Sequence, residues 1–142
     1  MEIKGLEFKR IKLSDRTTIK CRTFKSRTGL TPNIACRLGL ALSIAEPNKP
    51  DVSLYSDDSG QEINRYTFLG EHELSLLSLF TFWCHENNIP VEEYYAYLMA
   101  HINRGVEFLL NRARGIDELT NLIEPLLIGI QKGDDSKERH NR

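Results

Sequence analysis

From Ile34 to Ala45 apolar residues fall at 34, 38, 41, 42 and 45, and Leu40 and Ile44 add a second apolar side. At 3.6 residues per turn this pattern predicts a helix that is apolar over most of its circumference. Such a helix has to be covered, either by its own chain or by another subunit. That requirement constrains the fold more than any other feature of the 142 residues. The helix is also bounded: Thr31 suits an N-cap, Pro32 falls at the first helical position, and Pro47 and Pro50 stop it. Two residues before the cap, Gly29 sits where a preceding helix needs a residue with positive φ. The stretch RTGLTPN therefore reads as a corner between two helices. Amides at the start of the second helix would also offer donors to an anion, and the residues alone leave both roles open.

The other elements follow from periodicity and turn chemistry. LEFKRIKL, residues 6–13, interleaves Leu6, Phe8, Ile11 and Leu13 with Lys9, Arg10 and Lys12, a short strand with a slip near Lys9 and Arg10. Ser14 or Asp15 can cap a basic helix over 15–28, whose apolar stripe of Ile19, Cys21 and Phe24 is thin enough that it must lean on something else. Val52 to Tyr55 and Glu62 to Tyr66 are expected to be strands of a β-hairpin, with Asp57, Asp58, Ser59 and Gly60 in the turn. Helices are expected over 71–88, 91–114 and 116–130, the last kinked by Pro125, and the tail 131–142 has no apolar residue and is expected to be disordered. The expected fold is mainly α: one domain over 1–130, with a ribbon-helix-helix-like part at 6–46, a hairpin at 52–66 and about three helices at 71–130. In ribbon-helix-helix modules two chains pair their strands and intertwine their second helices.

Net charge is −1, but it is segregated. Residues 1–40 hold ten Lys or Arg against three acids, a balance of +7, and residues 41–142 hold nine against seventeen, a balance of −8. The basic third points to a polyanionic partner. Residues 1–20 carry six bases and no apolar run, and no stretch approaches the ~18 apolar residues of a membrane span, so a cytoplasmic protein is expected. Cys21, Cys36 and Cys84 are odd in number and far apart, which suits reduced thiols.

Catalytic chemistry finds little support. There is no HExxH, paired CxxC, phosphate loop or dinucleotide fingerprint. Cys84 lies on the apolar stripe of its helix beside His85, which suits a buried thiol better than a nucleophile. Glu92 and Glu93 open a helix, where carboxylates complement the dipole. No enzyme activity, cofactor or metal is expected.

RTGLTPNIACRLGLALS and, further on, GQEINRYTFLGEHE together resemble the two best-marked stretches of the DndE family, the small subunit of bacterial DNA phosphorothioation (DNA sulfur modification) systems. The resemblance runs from about Leu6 to Ile130. It implies a non-catalytic DNA-binding subunit that works beside a cysteine desulfurase, a sulfur-transferring subunit and an ATPase. It also implies a homo-oligomer, plausibly a tetramer, related in fold to ribbon-helix-helix proteins, with double-stranded and preferably nicked DNA as partner. The family's glycine corner matches here at Arg27, Thr28, Gly29, Leu30, Thr31, Pro32 and Asn33, as a subunit contact or a phosphate clamp. Charge and placement, rather than the resemblance, nominate Lys9, Lys12, Lys20, Arg22, Lys25 and Arg27 as DNA contacts. The alternative is a sequence-specific ribbon-helix-helix repressor, with Lys9, Arg10 or Lys12 reading base edges.

Overall fold

The structure, a computed structural model, describes residues 2–115 and 117–122. Strand β1 (Arg10–Lys12) leads into α1 (Asp15–Thr28) and α2 (Pro32–Ala45). A single 3-10 turn (Val52–Tyr55), β2 (Glu62–Asn64) and the short α3 (Arg65–Leu69) follow. Then come α4 (Glu73–Glu86) and α5 (Tyr94–Arg112), each entered through one 3-10 turn. The fold is mainly α with one small antiparallel sheet.

Local chemistry sets the helix ends. The Ser14 hydroxyl accepts from Thr17 N–H at 2.9 Å, and the Asp57 carboxylate, from a distant loop, accepts from Asp15 N–H at 3.1 Å. Two of the amides left open at the start of α1 are thereby satisfied. Gly29 adopts φ +80° and its N–H donates to the Lys25 carbonyl at 2.8 Å, closing α1. Thr31 occupies the N-cap position of α2, yet its hydroxyl bonds the Asn33 side chain and leaves the backbone amides alone. Its carbonyl accepts from both Ile34 and Ala35 at 3.1 Å.

The apolar α2 is covered within the chain. Its main neighbour is α5, in which every residue from Leu98 to Val106 is buried. The two helices cross where Gly39 meets Gly105, without an intervening side chain. Phe24, Phe68 and Phe80 are fully buried around this pair, each contributing about 1.5–3 kcal/mol by leaving water. Phe80 and Trp83 of α4 pack their rings against Tyr94, Tyr97 and His101 of α5. A shallow apolar groove of about 120 Å³ remains along Leu38, Ala41, Leu42 and Ala45, closed on its far side by Leu109 and Leu119.

The hairpin expected over 52–66 does not form. Residues 52–55 make a 3-10 turn because the Asp51 carboxylate captures the Ser53 amide at 3.0 Å and its hydroxyl at 2.7 Å, a local alternative to a strand ladder. Leu54 is 72% exposed, so the segment has no inner apolar face to hold a strand. β2 instead pairs with β1, Arg10 opposite Asn64, Ile11 opposite Ile63 and Lys12 opposite Glu62. Ile11 and Ile63 face the core, and Arg10, Lys12, Glu62 and Asn64 face solvent. The two-stranded ribbon is thus made by one chain. Helices over 71–88 and 91–114 are found as α4 and α5 with their entry turns. Residues 117–122 are helical, whereas the rest of the expected 116–130 helix, its Pro125 kink and the tail 131–142 lie outside the described residues.

Candidate nucleic-acid interface

Helix α1 carries five bases, Arg16, Lys20, Arg22, Lys25 and Arg27, against one acid, Asp15, at its first residue. Thr17, Thr18, Cys21 and Phe24 face inward. At about 100° per residue, the bases divide around that buried stripe. Arg16, Lys20 and Arg27 fall on one flank, and Arg22 and Lys25 fall on the other. The nominated residues are therefore not a single stripe.

The first flank meets α5. Lys20 Nζ lies 3.4 Å from the Glu107 carboxylate with 18% of its side chain exposed, and Arg16 reaches the same carboxylate at 3.9 Å with 78% exposed. Lys20 is thus largely committed to a partner within the chain. Arg22 and Lys25 are exposed and, among the described residues, make no ion pair. Lys25 and Arg27 lie in the last turn of α1, where their charge also complements the helix dipole by about 0.3–1 kcal/mol each.

On the sheet, Lys12 and Arg10 flank Glu62, at 3.9 and 3.3 Å. That carboxylate halves the net charge of the ribbon face. Lys9, just before β1, is exposed and among the described residues has no ion-pair partner. Sequence reasoning passed over Arg16, which the structure leaves more open to solvent than Lys20. Only the packing of α5 distinguishes the two.

The corner Thr28, Gly29, Leu30, Thr31, Asn33 is built by short-range bonds. Thr28 Oγ1 donates to the Phe24 carbonyl at 2.8 Å and accepts from Leu30 N–H at 3.1 Å. A Cβ at Gly29 would meet nothing within 4 Å, so the corner's outer side is open. Beside it, Asn33, Arg37, Tyr66, Thr67 and Glu71 line an open depression of about 520 Å³. Arg37 is already engaged there: its Nε donates to the Phe68 carbonyl at 2.5 Å and its Nη2 to Thr67 at 3.1 Å, tying α2 to the end of α3.

The titratable groups in the interior have structural surroundings. Burial pushes the Cys84 thiol up to about 12, which removes the thiolate a nucleophile would need at neutral pH. Cys21 and Cys36 are buried and free. Among the described residues no three His, Cys, Asp or Glu side chains converge as metal ligands, and no helix is long and apolar enough to cross a membrane.

The family profile described as DNA sulphur modification protein DndE matches residues 10–115. Among solved structures, the fold is similar to that of DndE from Escherichia coli B7A, described as involved in DNA phosphorothioation modification. That structure is 24% identical with a TM-score of 0.59, and the alignment covers 70% of this chain and 95% of that one. A glycine-to-lysine mutant of DndE involved in DNA phosphorothioation is similar at 21% identity and a TM-score of 0.59, over 72% of this chain and 97% of that one. No curated protein sequence matches significantly.

Proposed function

The chain belongs to the DndE family of DNA sulphur modification proteins, and from that premise we propose that it is a non-catalytic, DNA-binding subunit of a phosphorothioation system. It holds the duplex by its backbone while other subunits carry out the sulfur chemistry. The observation that carries this reading is the outer surface of α1. After Asp15 the helix carries no acid, and Arg22, Lys25 and Arg27 are exposed. Lys and Arg neutralise phosphates and release counterions, which needs no base sequence. The contact set is Arg22, Lys25 and Arg27 with Arg16, extended by Lys9 and Lys12 at the strand, while Lys20 contributes less because Glu107 holds it. Copies of the chain self-associate so that several such helices meet one duplex, and the corner from Thr28 to Asn33 takes part in assembly or clamps a phosphate. A break in one strand lets the duplex bend toward a surface of this kind, which favours nicked DNA.

The test is titration of labelled intact, nicked and single-stranded DNA at several salt concentrations. The expected result is tighter binding to nicked than to intact duplex, with little ranking among base sequences. Each phosphate contact should add about 0.9 to the log–log salt slope. Strong preference for one sequence, or no affinity near physiological salt, would reject the reading.

A further inference from the structure

Arg104 of α5 is a buried cation with no anion beside it. It is 5% exposed, and its guanidinium bonds only neutral acceptors, Nε to the Ser43 hydroxyl and Nη1 and Nη2 to the Asn48 and Ser43 carbonyls, each at 2.9 Å. The Phe108 ring centre lies 5.4 Å from its central carbon. Among the described residues no carboxylate pairs with it. Glu46 is held by Arg112 at 2.6 Å, and Glu107 by Lys20 and Arg16 at 3.4 and 3.9 Å. A guanidinium carries five N–H groups, so the second N–H on each terminal nitrogen has no acceptor among the described residues. Arg104 also walls an open pocket of about 320 Å³ between residues 48–55 and α5. Lys49 and Tyr55 line the same pocket, and neither the exposed Lys49 ammonium nor the Tyr55 hydroxyl makes a hydrogen bond or ion pair with another described residue. A buried charge without a countercharge is costly. The three bonds to neutral acceptors explain where the nitrogens sit and leave that charge unbalanced.

We propose that this pocket is a site for a phosphate monoester, with buried Arg104 at its floor and Lys49 and Tyr55 at its rim. Guanidinium and ammonium supply charge-assisted hydrogen bonds to the anion, and the tyrosine hydroxyl a neutral one. Charge sets the ligand class. Arg104 and Lys49 line the pocket with Asp51 and Glu107, and Glu107 brings Arg16 and Lys20 with it, so four cations stand against two carboxylates. Asp51 is itself occupied, accepting from the Ser53 amide and hydroxyl. The surplus of two positive charges matches a monoester, which carries about −1.5 to −2 at pH 7. A phosphodiester or a carboxylate brings only one charge. DNA carries a phosphate monoester only at a strand terminus, such as one side of a break. Because Glu107 both lines the pocket and holds Arg16 of α1, the pocket adjoins the surface proposed above for the duplex. A strand terminus as the source of the phosphate rests on that DNA-binding reading, and a free phosphate compound is the other source of the same chemistry.

The experiment has two arms on the full chain. In the first, melting temperature is followed with methyl phosphate and with dimethyl phosphate at matched ionic strength. The monoester should raise it and the diester should not, since only a ligand bound by the folded state stabilises it. In the second, nicked duplexes carrying a 5′-phosphate, a 3′-phosphate or hydroxyls on both sides of the break are titrated. A terminal phosphate on one side should tighten binding about tenfold over the hydroxyl nick. Arg104→Gln should abolish both differences. Lys49→Ala removes an exposed side chain, so its circular dichroism should match the parent's, and it should lose most of both differences even if Arg104→Gln fails to fold. A monoester response without discrimination among the nicks keeps the site and assigns it to a free phosphate compound. A monoester response in a chain that binds no DNA keeps the site and rejects the DNA-binding reading. Equal response to the two esters together with equal affinity for the three nicks overturns the site and leaves backbone binding standing. Differences that survive in Lys49→Ala and Arg104→Gln overturn it as well.

Discussion

Lys20 Nζ and the Glu107 carboxylate lie 3.4 Å apart between α1 and α5, with the lysine side chain only 18% exposed. A lysine held in this way has less charge to offer a phosphate than a solvated one. Lys20→Met is therefore expected to change DNA affinity little, whereas Arg22→Met and Lys25→Met should each lower the salt slope by about 0.9 if each holds one phosphate. Arg16→Met should exceed Lys20→Met in effect. Anisotropy titrations of the four variants at three salt concentrations decide this. Equal losses at Lys20 and Arg22 would show that DNA pulls Lys20 off Glu107.

The contrast between Arg16 and Lys20 marks where sequence reading stops. Ser14, Gly29 and Pro32 fix their helix ends through neighbours within a few residues, so α1, the corner and α2 were legible at their true bounds. β1 and β2 pair across some fifty residues because Ile63 needs the inner face that Ile11 already holds. No local pattern encodes that match, and the turn residues 57–60 pointed to the wrong partner. The bases of α1 were likewise legible as a group. Their division into two flanks depends on which side Phe24 and Cys21 bury, and the loss of Lys20 depends on a glutamate 87 positions away.

Gly29 gives a second test. Its φ of +80° is costly for any residue with a Cβ, by about 1–2 kcal/mol, yet a Cβ there would strike nothing. The whole penalty is conformational. Gly29→Val should lower stability by roughly that amount, and Gly29→Asn by less, because asparagine tolerates the left-handed region. Chemical denaturation measures both. If the corner also joins subunits, the valine variant loses assembly at concentrations where its fold is intact.

The crossing of α2 and α5 leaves far less tolerance. A Cβ on Gly105 would fall 1.7 Å from the Gly39 carbonyl oxygen, and one on Gly39 would fall 2.7 Å from Val106 N. Backbone cannot yield as a flexible side chain does, so the helices would have to separate along the most buried stretch of the molecule. Gly105→Ala is expected to cost about 3 kcal/mol or more and Gly39→Ala somewhat less, both visible as lower melting temperatures. Either alanine leaving the melting temperature unchanged would mean that the two helices are farther apart than described.

His101 links the same core to pH. Its Nδ1 lies 2.7 Å from the Ser43 hydroxyl, which also accepts from Arg104 Nε at 2.9 Å. On the other side of the ring, Nε2 is buried with no hydrogen-bond partner among the described residues. There the ring stands edge-on to the Trp83 indole at 4.2 Å between centroids. Burial, and next to it the charge of Arg104, hold His101 down to about 3. The unfolded chain protonates this histidine near 6.5. Between those values the unfolded state binds a proton that the folded state refuses, so stability rises with pH across the window and is lost as pH falls from about 6.5 toward 3. The slope from this group is about 1.4 kcal/mol per pH unit, and above about 6.5 it contributes none. Urea unfolding at pH 7 and pH 4.5 should therefore show a steep loss in the parent. In His101→Leu the part of that loss due to the imidazole disappears, even if the variant is less stable at pH 7. An unchanged difference between the two pH values would mean that His101 titrates normally and that water reaches the ring.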